Sequence, residues 1–149
     1  MIARLPVTLA LSSLITTATG FPVGRGRQPT AGATPPYYLL YSITADLAGA
    51  PFSDRNEDAT YLYQVTAVSG PDPTKPDSYG VADQAELMAD RARTAILGRD
   101  PATGQWLHAL TIPGARVIGR SLDIEAGGTS DPSDAIMSYV QRFRIDLSS

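Results

Sequence analysis

The sequence contains no cysteine, one histidine (His108) and one lysine (Lys75) among its 149 residues. The absence of cysteine excludes disulfides, thiolate metal sites and cysteine nucleophiles. A single imidazole with no thiolate beside it does not make a zinc site. Charge is also sparse, at 18% of residues with a formal net charge of -3. The chain therefore lacks the basic composition of proteins that bind nucleic acid tightly.

Long apolar runs are missing as well, and the first twenty residues come closest to one. Arg4 precedes the mostly apolar stretch 5–11, and small residues follow up to Ala18. A secretory signal has a similar layout, but hydroxyl residues dilute this run, and the spacing of apolar residues suits one face of a helix. The run is too short and too polar to span a membrane. We expect a helix over residues 3–18.

The length and the hydrophobic fraction of 43% fit one globular domain, which we assign to residues 1–149. Hydrophobic periodicity predicts the order α-β-β-α-β-β-β. The first two strands follow each other without a crossover helix, so we expect them to be antiparallel. The predicted fold class is α+β, with a mostly antiparallel mixed sheet, two helices packed on it and long Gly/Pro-rich loops. The predicted helices are 3–18 and 81–97, and the predicted strands are 37–43, 61–68, 106–112, 116–124 and 139–147.

Two segments have the clearest periodicity. The helix at 81–97 carries an apolar stripe with helical spacing, which predicts packing on the sheet. The strand at 139–147 alternates, so one of its faces should be buried. The helix stripe consists of Val81, Ala85, Met88, Ala92, Ala95 and Ile96, and the strand face consists of Tyr139, Gln141, Phe143, Ile145 and Leu147.

Several residues have the right type for chemistry but lack the partners that the chemistry needs. His108 is accompanied by no G-x-S-x-G nucleophile motif. The acidic loop begins like a calcium loop at Asp54, Asn56 and Asp58, but Ala59 occupies the position that requires glycine. We therefore expect no enzyme activity, no metal and no cofactor.

The segments 20–36 and 45–60 are predicted to be long loops, because Gly and Pro break regular structure in both. Loops of this length are usually functional or disordered. Without a catalytic set of residues, we expect them to contact protein partners. The candidate contact residues are Arg25, Arg27, Pro51, Phe52, Asp54 and Arg55.

The layout also resembles a known family. An N-terminal helix and a Gly/Pro-rich loop lead to PYYLLY at 36–41 and GAPF at 49–52. YQVTAVSG follows at 63–70, QAELMADR at 84–91 and RFRI at 142–145. Together these segments resemble the tail terminator proteins of long-tailed bacteriophages, especially phages of actinobacteria, over residues 3–147.

The resemblance implies a structural virion protein, with no membrane partner. Such proteins form a ring, expected to be a hexamer, on the head-proximal end of the tail tube. The ring stops tube polymerisation, joins the tail to the neck, and lets genomic DNA pass during ejection. The implied partners are other copies of the chain, the major tail tube protein and a neck or head-tail connector protein. Assembly would take place in the host cytoplasm.

Three alternatives remain open at this point. The chain could be another head-tail neck completion protein. It could be a secreted or surface binding domain that carries an N-terminal signal sequence. An enzyme that uses His108 or the acidic loop is the third alternative.

Overall fold

The computed structural model describes residues 2–48, 56–75, 77–131 and 136–149. Within these residues one sheet has the strand order β1-β2-β3-β5-β4. All neighbouring strands are antiparallel except β1 and β2, which are parallel. The predicted α+β class, with a mostly antiparallel mixed sheet and two helices, is therefore confirmed. The elements are α1 (Arg4–Thr19), β1 (Val23–Arg25), β2 (Tyr37–Ala48), β3 (Asp58–Ser69), α2 (Ala82–Leu97), β4 (Arg116–Asp131) and β5 (Ile136–Ser148).

The order of the elements differs from the prediction, since it is α-β-β-β-α-β-β. The additional strand, β1, lies inside the predicted loop 20–36 and pairs with β2 from Tyr38 to Leu40. Three residues that include a glycine carry no periodic signal, so only the neighbouring strand defines β1. A side chain at Gly24 would overlap the carbonyl oxygen of Arg27, so glycine permits the loop to fold back over this strand.

The predicted strand at 106–112 was wrong. In this segment only single bridges occur, between Arg99 and Trp106 and between Ile112 and Ala115. Leu110 is buried in the core, so the apolar signal was correct while its assignment to a strand was not. A short apolar run does not distinguish a strand from an irregular segment that packs on a core.

The remaining strands are longer than predicted. β2 continues to Ala48 and β3 begins at Asp58, so the predicted loop 45–60 is strand at both of its ends. β4 continues to Asp131, beyond the predicted end of that strand at residue 124. Polar residues are compatible with a strand whose outer face is exposed, and Gly127, at φ +81°, follows an irregularity in the ladder.

The core lies between the two helices and one face of the sheet. The predicted stripe of α2 is buried at Ala85, Met88 and Ala92, whereas Val81 is the N-cap residue and is 46% exposed. That one member of the stripe was predicted wrongly, because the helix begins one residue later. The alternation of β5 is confirmed, with Gln141, Phe143, Ile145 and Leu147 buried.

Three tyrosines attach the helices to the sheet through their hydroxyl groups. Tyr38 donates to the carbonyl oxygen of Met88 in α2 at 2.6 Å. Tyr61 donates to the carbonyl oxygen of Ile2 at 2.6 Å, and the hydroxyls of Tyr63 and Thr8 are 2.8 Å apart. Each tyrosine thus buries a ring in the core and satisfies its polar end. Both helices are held on the same face of the sheet.

Candidate protein-contact surfaces

The structure describes two of the six contact residues predicted from the sequence. Arg25 ends β1 and Arg27 lies two residues beyond it, and both side chains are exposed. Their exposure is compatible with the predicted partner contact but does not test it. Pro51, Phe52, Asp54 and Arg55 lie outside the described residues.

The face of the sheet that points away from the helices carries both apolar and polar side chains. Leu39, Tyr41 and Leu62 are half-buried there. Arg142 donates from Nε to Oε1 of Gln64 at 3.3 Å, and Arg144 donates from Nε to Oδ1 of Asp146 at 3.0 Å. The pair of Arg142 and Gln64 links β5 to β3, as cross-strand pairs commonly do, whereas Arg144 and Asp146 are neighbours on the same strand.

Among the described residues, the sheet has an open edge at each side. Beyond Leu40, no described strand pairs with the outer side of β2, and none pairs with the outer side of β4. On the β2 edge, Ile43 is 40% exposed and Leu47 is 53% exposed. On the β4 edge, Ile118 is 60% exposed and Ile124 is 47% exposed. Both edges therefore expose branched aliphatic side chains beside backbone groups that can still form hydrogen bonds.

A buried arginine holds the irregular segment after α2, a role that no sequence pattern predicted. Nη1 of Arg120 donates to the carbonyl oxygens of Ile96 at 3.1 Å and His108 at 2.9 Å. The guanidinium of Arg120 lies 4.7 Å from the ring centroid of Trp106, and the guanidinium of Arg99 lies 3.8 Å from the same centroid. Burial, helped by the charge of Arg99, lowers the pKa of Arg120 to about 10. The arrangement attaches the segment to α2 and β4, and Arg120 remains charged at neutral pH.

The histidine lies at the surface beside the two helices, in a groove that the acidic Asp90 also lines. His108 is exposed beside shallow grooves along α1 and α2, lined in part by Ser13, Thr17 and Thr94. No described group of three or more His, Cys, Asp or Glu side chains could hold a metal ion. Nor is any described helix long and apolar enough to cross a membrane.

These features define an α+β protein with one helix-covered sheet face and two open sheet edges. A comparison of the sequence with protein-family models found no match, and neither did a comparison with curated proteins. Among solved structures, the fold is similar to a chain of the virion of a native gene transfer agent particle. The two share 15% sequence identity with a TM-score of 0.55, and the match covers 97% of this chain and 95% of the other. The similarity shows the fold of the whole domain.

Proposed function

We propose that the chain is a structural, non-enzymatic protein of a phage-like virion that caps the head-proximal end of the tail tube as a ring. The observation that carries the proposal is the fold similarity to a gene transfer agent virion chain, which extends over nearly the full length of both chains. The match covers whole domains rather than a shared fragment, and it supports the proposal as an analogy of fold. The resemblance of the sequence to tail terminators specifies which part.

The surfaces of the domain support this role. A terminator must bind the tube on one side, bind the neck on the other, and bind its own copies laterally. The open edges at β2 and β4 lie at opposite sides of the sheet and differ from each other, as head-to-tail contacts in a ring require. The exposed Arg25 and Arg27 are available for contact with the tube or with a neighbouring copy.

The proposed partners are thus other copies of the chain in a ring, the major tail tube protein and a neck connector protein, with DNA passing through the ring. The mechanism is steric, because one side of the ring copies the docking surface of the tube and the other side does not. It requires no cofactor. The chain would be located at the neck-proximal end of the tail after assembly in the host cytoplasm.

The test compares particles assembled with and without this chain by electron microscopy. A terminator predicts tails of irregular, excessive length that do not join heads when the chain is missing. Tails of normal length that fail to join heads would instead identify a neck completion protein. Normal particles would reject both roles.

A point substitution tests the loop contact within the same assay. Phe52→Asp should impair tail joining, whereas Leu87→Asp is the matched control because Leu87 is 51% exposed on α2. Both variants must first show the circular dichroism of the parent chain. Equal, normal assembly of the two variants would show that Phe52 makes no essential contact.

A further inference from the structure

The two open edges of the sheet fit each other in direction. Successive antiparallel pairing of β2 with β3, β3 with β5 and β5 with β4 makes β2 and β4 run in opposite directions. If a second copy in the same orientation approaches the β2 edge with its own β4, the two strands meet antiparallel. Antiparallel neighbours are the more stable arrangement. Copies in head-to-tail order would therefore place strands of opposite direction side by side.

One exposed aliphatic side chain on each edge lies at a matching level, Leu47 on β2 and Ile118 on β4, and the register places Ile124 level with Tyr41, two residues from Ile43. Leu47 is aligned through the register with Ala59, then Leu147 and finally Val117, which directly precedes Ile118. Copies that meet with these residues side by side are related by a rotation with little shift along the strands. A head-to-tail contact closes into a ring when the rotation between copies closes on itself, and the absence of a large shift is compatible with closure.

Charge is complementary at the same end of the two edges. Asp46 on β2 and Arg116 on β4 are both exposed, and the register places Arg116 level with Ala48, two residues from Asp46. Side-by-side copies would bring the carboxylate of one near the guanidinium of the next. Complementary charges of this kind select the correct register more than they add affinity.

The irregularities in the strands limit how much backbone pairing the contact can contain. The ladder between β4 and β5 is interrupted between Val117 and Gly119, and twice more further along. Bulges on an edge strand reduce its ability to accept a long additional strand. Side-chain packing, with only short stretches of backbone pairing, is the arrangement that this edge allows.

We propose that the β2 edge of one copy packs through Ile43 and Leu47 against Ile118 and Ile124 on the β4 edge of the next copy, with Leu47 beside Ile118. The contact rests on the proposed ring and assigns it an interface. The occupant is a second copy of this chain, because the two edges complement each other in direction, level and charge.

The absence of cysteine from the natural chain permits a direct test by disulfide crosslinking. Leu47→Cys and Ile118→Cys are prepared as separate folded proteins, mixed at high concentration and oxidised with copper phenanthroline. A disulfide needs the two Cβ atoms within about 4.5 Å of each other. The proposal predicts a covalent dimer that forms several-fold faster in the mixture than in either variant alone. The double variant should give a ladder that ends in a closed ring without free thiols.

A matched mixture controls for random collision. Thr129→Cys lies on the same β4 edge and is exposed, but it is far from the level of Leu47. Its mixture with Leu47→Cys should crosslink slowly. Equal crosslinking in both mixtures, dimers of single variants only, or no dimer from either mixture would each overturn the proposed contact.

Charge reversal provides a second readout in assembled tails. Asp46→Arg and Arg116→Asp should each reduce the yield of joined tails, and the chain carrying both substitutions should recover most of it. Lack of recovery in the double variant would contradict the pairing.

The failure of the edge contact can be told from the failure of the proposed function. Rings of normal mass that lack the mixed disulfide would reject the contact and leave the cap intact. The mixed disulfide, together with tails of normal length in the absence of the chain, would reject the cap and leave the contact intact.

Discussion

The variant Tyr38→Phe, which lacks one hydroxyl group, should be less stable than the parent chain at neutral pH and more stable than the parent chain at strongly alkaline pH. The ring is fully buried, and its hydroxyl donates to the carbonyl oxygen of Met88 at 2.6 Å. That carbonyl lies within α2, where it also accepts a helical hydrogen bond, so it keeps a partner in the variant. The loss at pH 7 should therefore be that of one neutral hydrogen bond, about 1 kcal/mol of unfolding free energy.

Alkaline pH changes the comparison because the Tyr38 hydroxyl titrates differently in the folded chain. Burial raises its pKa from 10.0 to about 12, against the opposing effects of a hydrogen bond with Thr19 and the charge of Arg91. Between these two values the folded state keeps a proton that the unfolded state loses. Stability is therefore fully present below pH 10 and falls as pH rises towards the folded pKa, at about 1.4 kcal/mol per pH unit.

The phenylalanine variant lacks this titration, so the two curves of unfolding free energy against pH should cross at about pH 11. At that pH the free energy that the parent chain has lost through titration equals the free energy of the missing hydrogen bond. Urea unfolding at intervals from pH 7 to pH 12, followed by circular dichroism, measures both curves. Tyr79→Phe is the control, because Tyr79 is 70% exposed and its replacement should leave both ends of the curve unchanged. A constant difference between Tyr38→Phe and the parent at every pH would refute the reasoning.

Three further predictions concern packing, the buried cation and ligands. Ala85→Arg should lower the unfolding free energy, measured by urea unfolding, by at least about 3 kcal/mol, because it overfills a buried contact and buries an unpaired charge. An unchanged melting temperature would contradict the packing of α2. Arg120→Met should cost about 2–4 kcal/mol, since two backbone carbonyls lose charge-assisted hydrogen bonds, while the exposed Arg116→Met should change little. EDTA or added calcium should leave the melting temperature within a degree, and a shift of several degrees between the two would reveal a bound metal.

The parts of the fold that the sequence predicted are those in which one continuous segment carries its own periodic signal. Gln141, Phe143 and Ile145 alternate with exposed or half-buried residues, so β5 was identifiable without knowledge of its neighbours. The stripe of α2 worked for the same reason. The direct connection between β2 and β3 correctly implied antiparallel pairing, because a short connection cannot make a parallel crossover.

The errors fall where a segment depends on contacts that are distant in sequence. β1 exists because its three residues lie beside β2, which no local pattern records. The segment around Trp106 looks like a strand in its composition, yet its position is set by Arg99 and by Arg120, which comes 14 residues after the tryptophan. A buried arginine has no distinctive sequence signature, since its charge alone predicts exposure.

The contact candidates from the sequence and those from the structure differ for a related physical reason. Loop composition selected Arg25 and Phe52, because both lie in segments of the sequence that are rich in glycine and proline. The edge residues Ile43 and Ile118 have the composition of core strand residues, so the sequence alone would bury them. Their exposure follows from the strand order, in which β2 beyond Leu40 and the whole of β4 have no described outer neighbour. An aliphatic residue in a strand is therefore informative about assembly only after the topology shows that its strand is an edge.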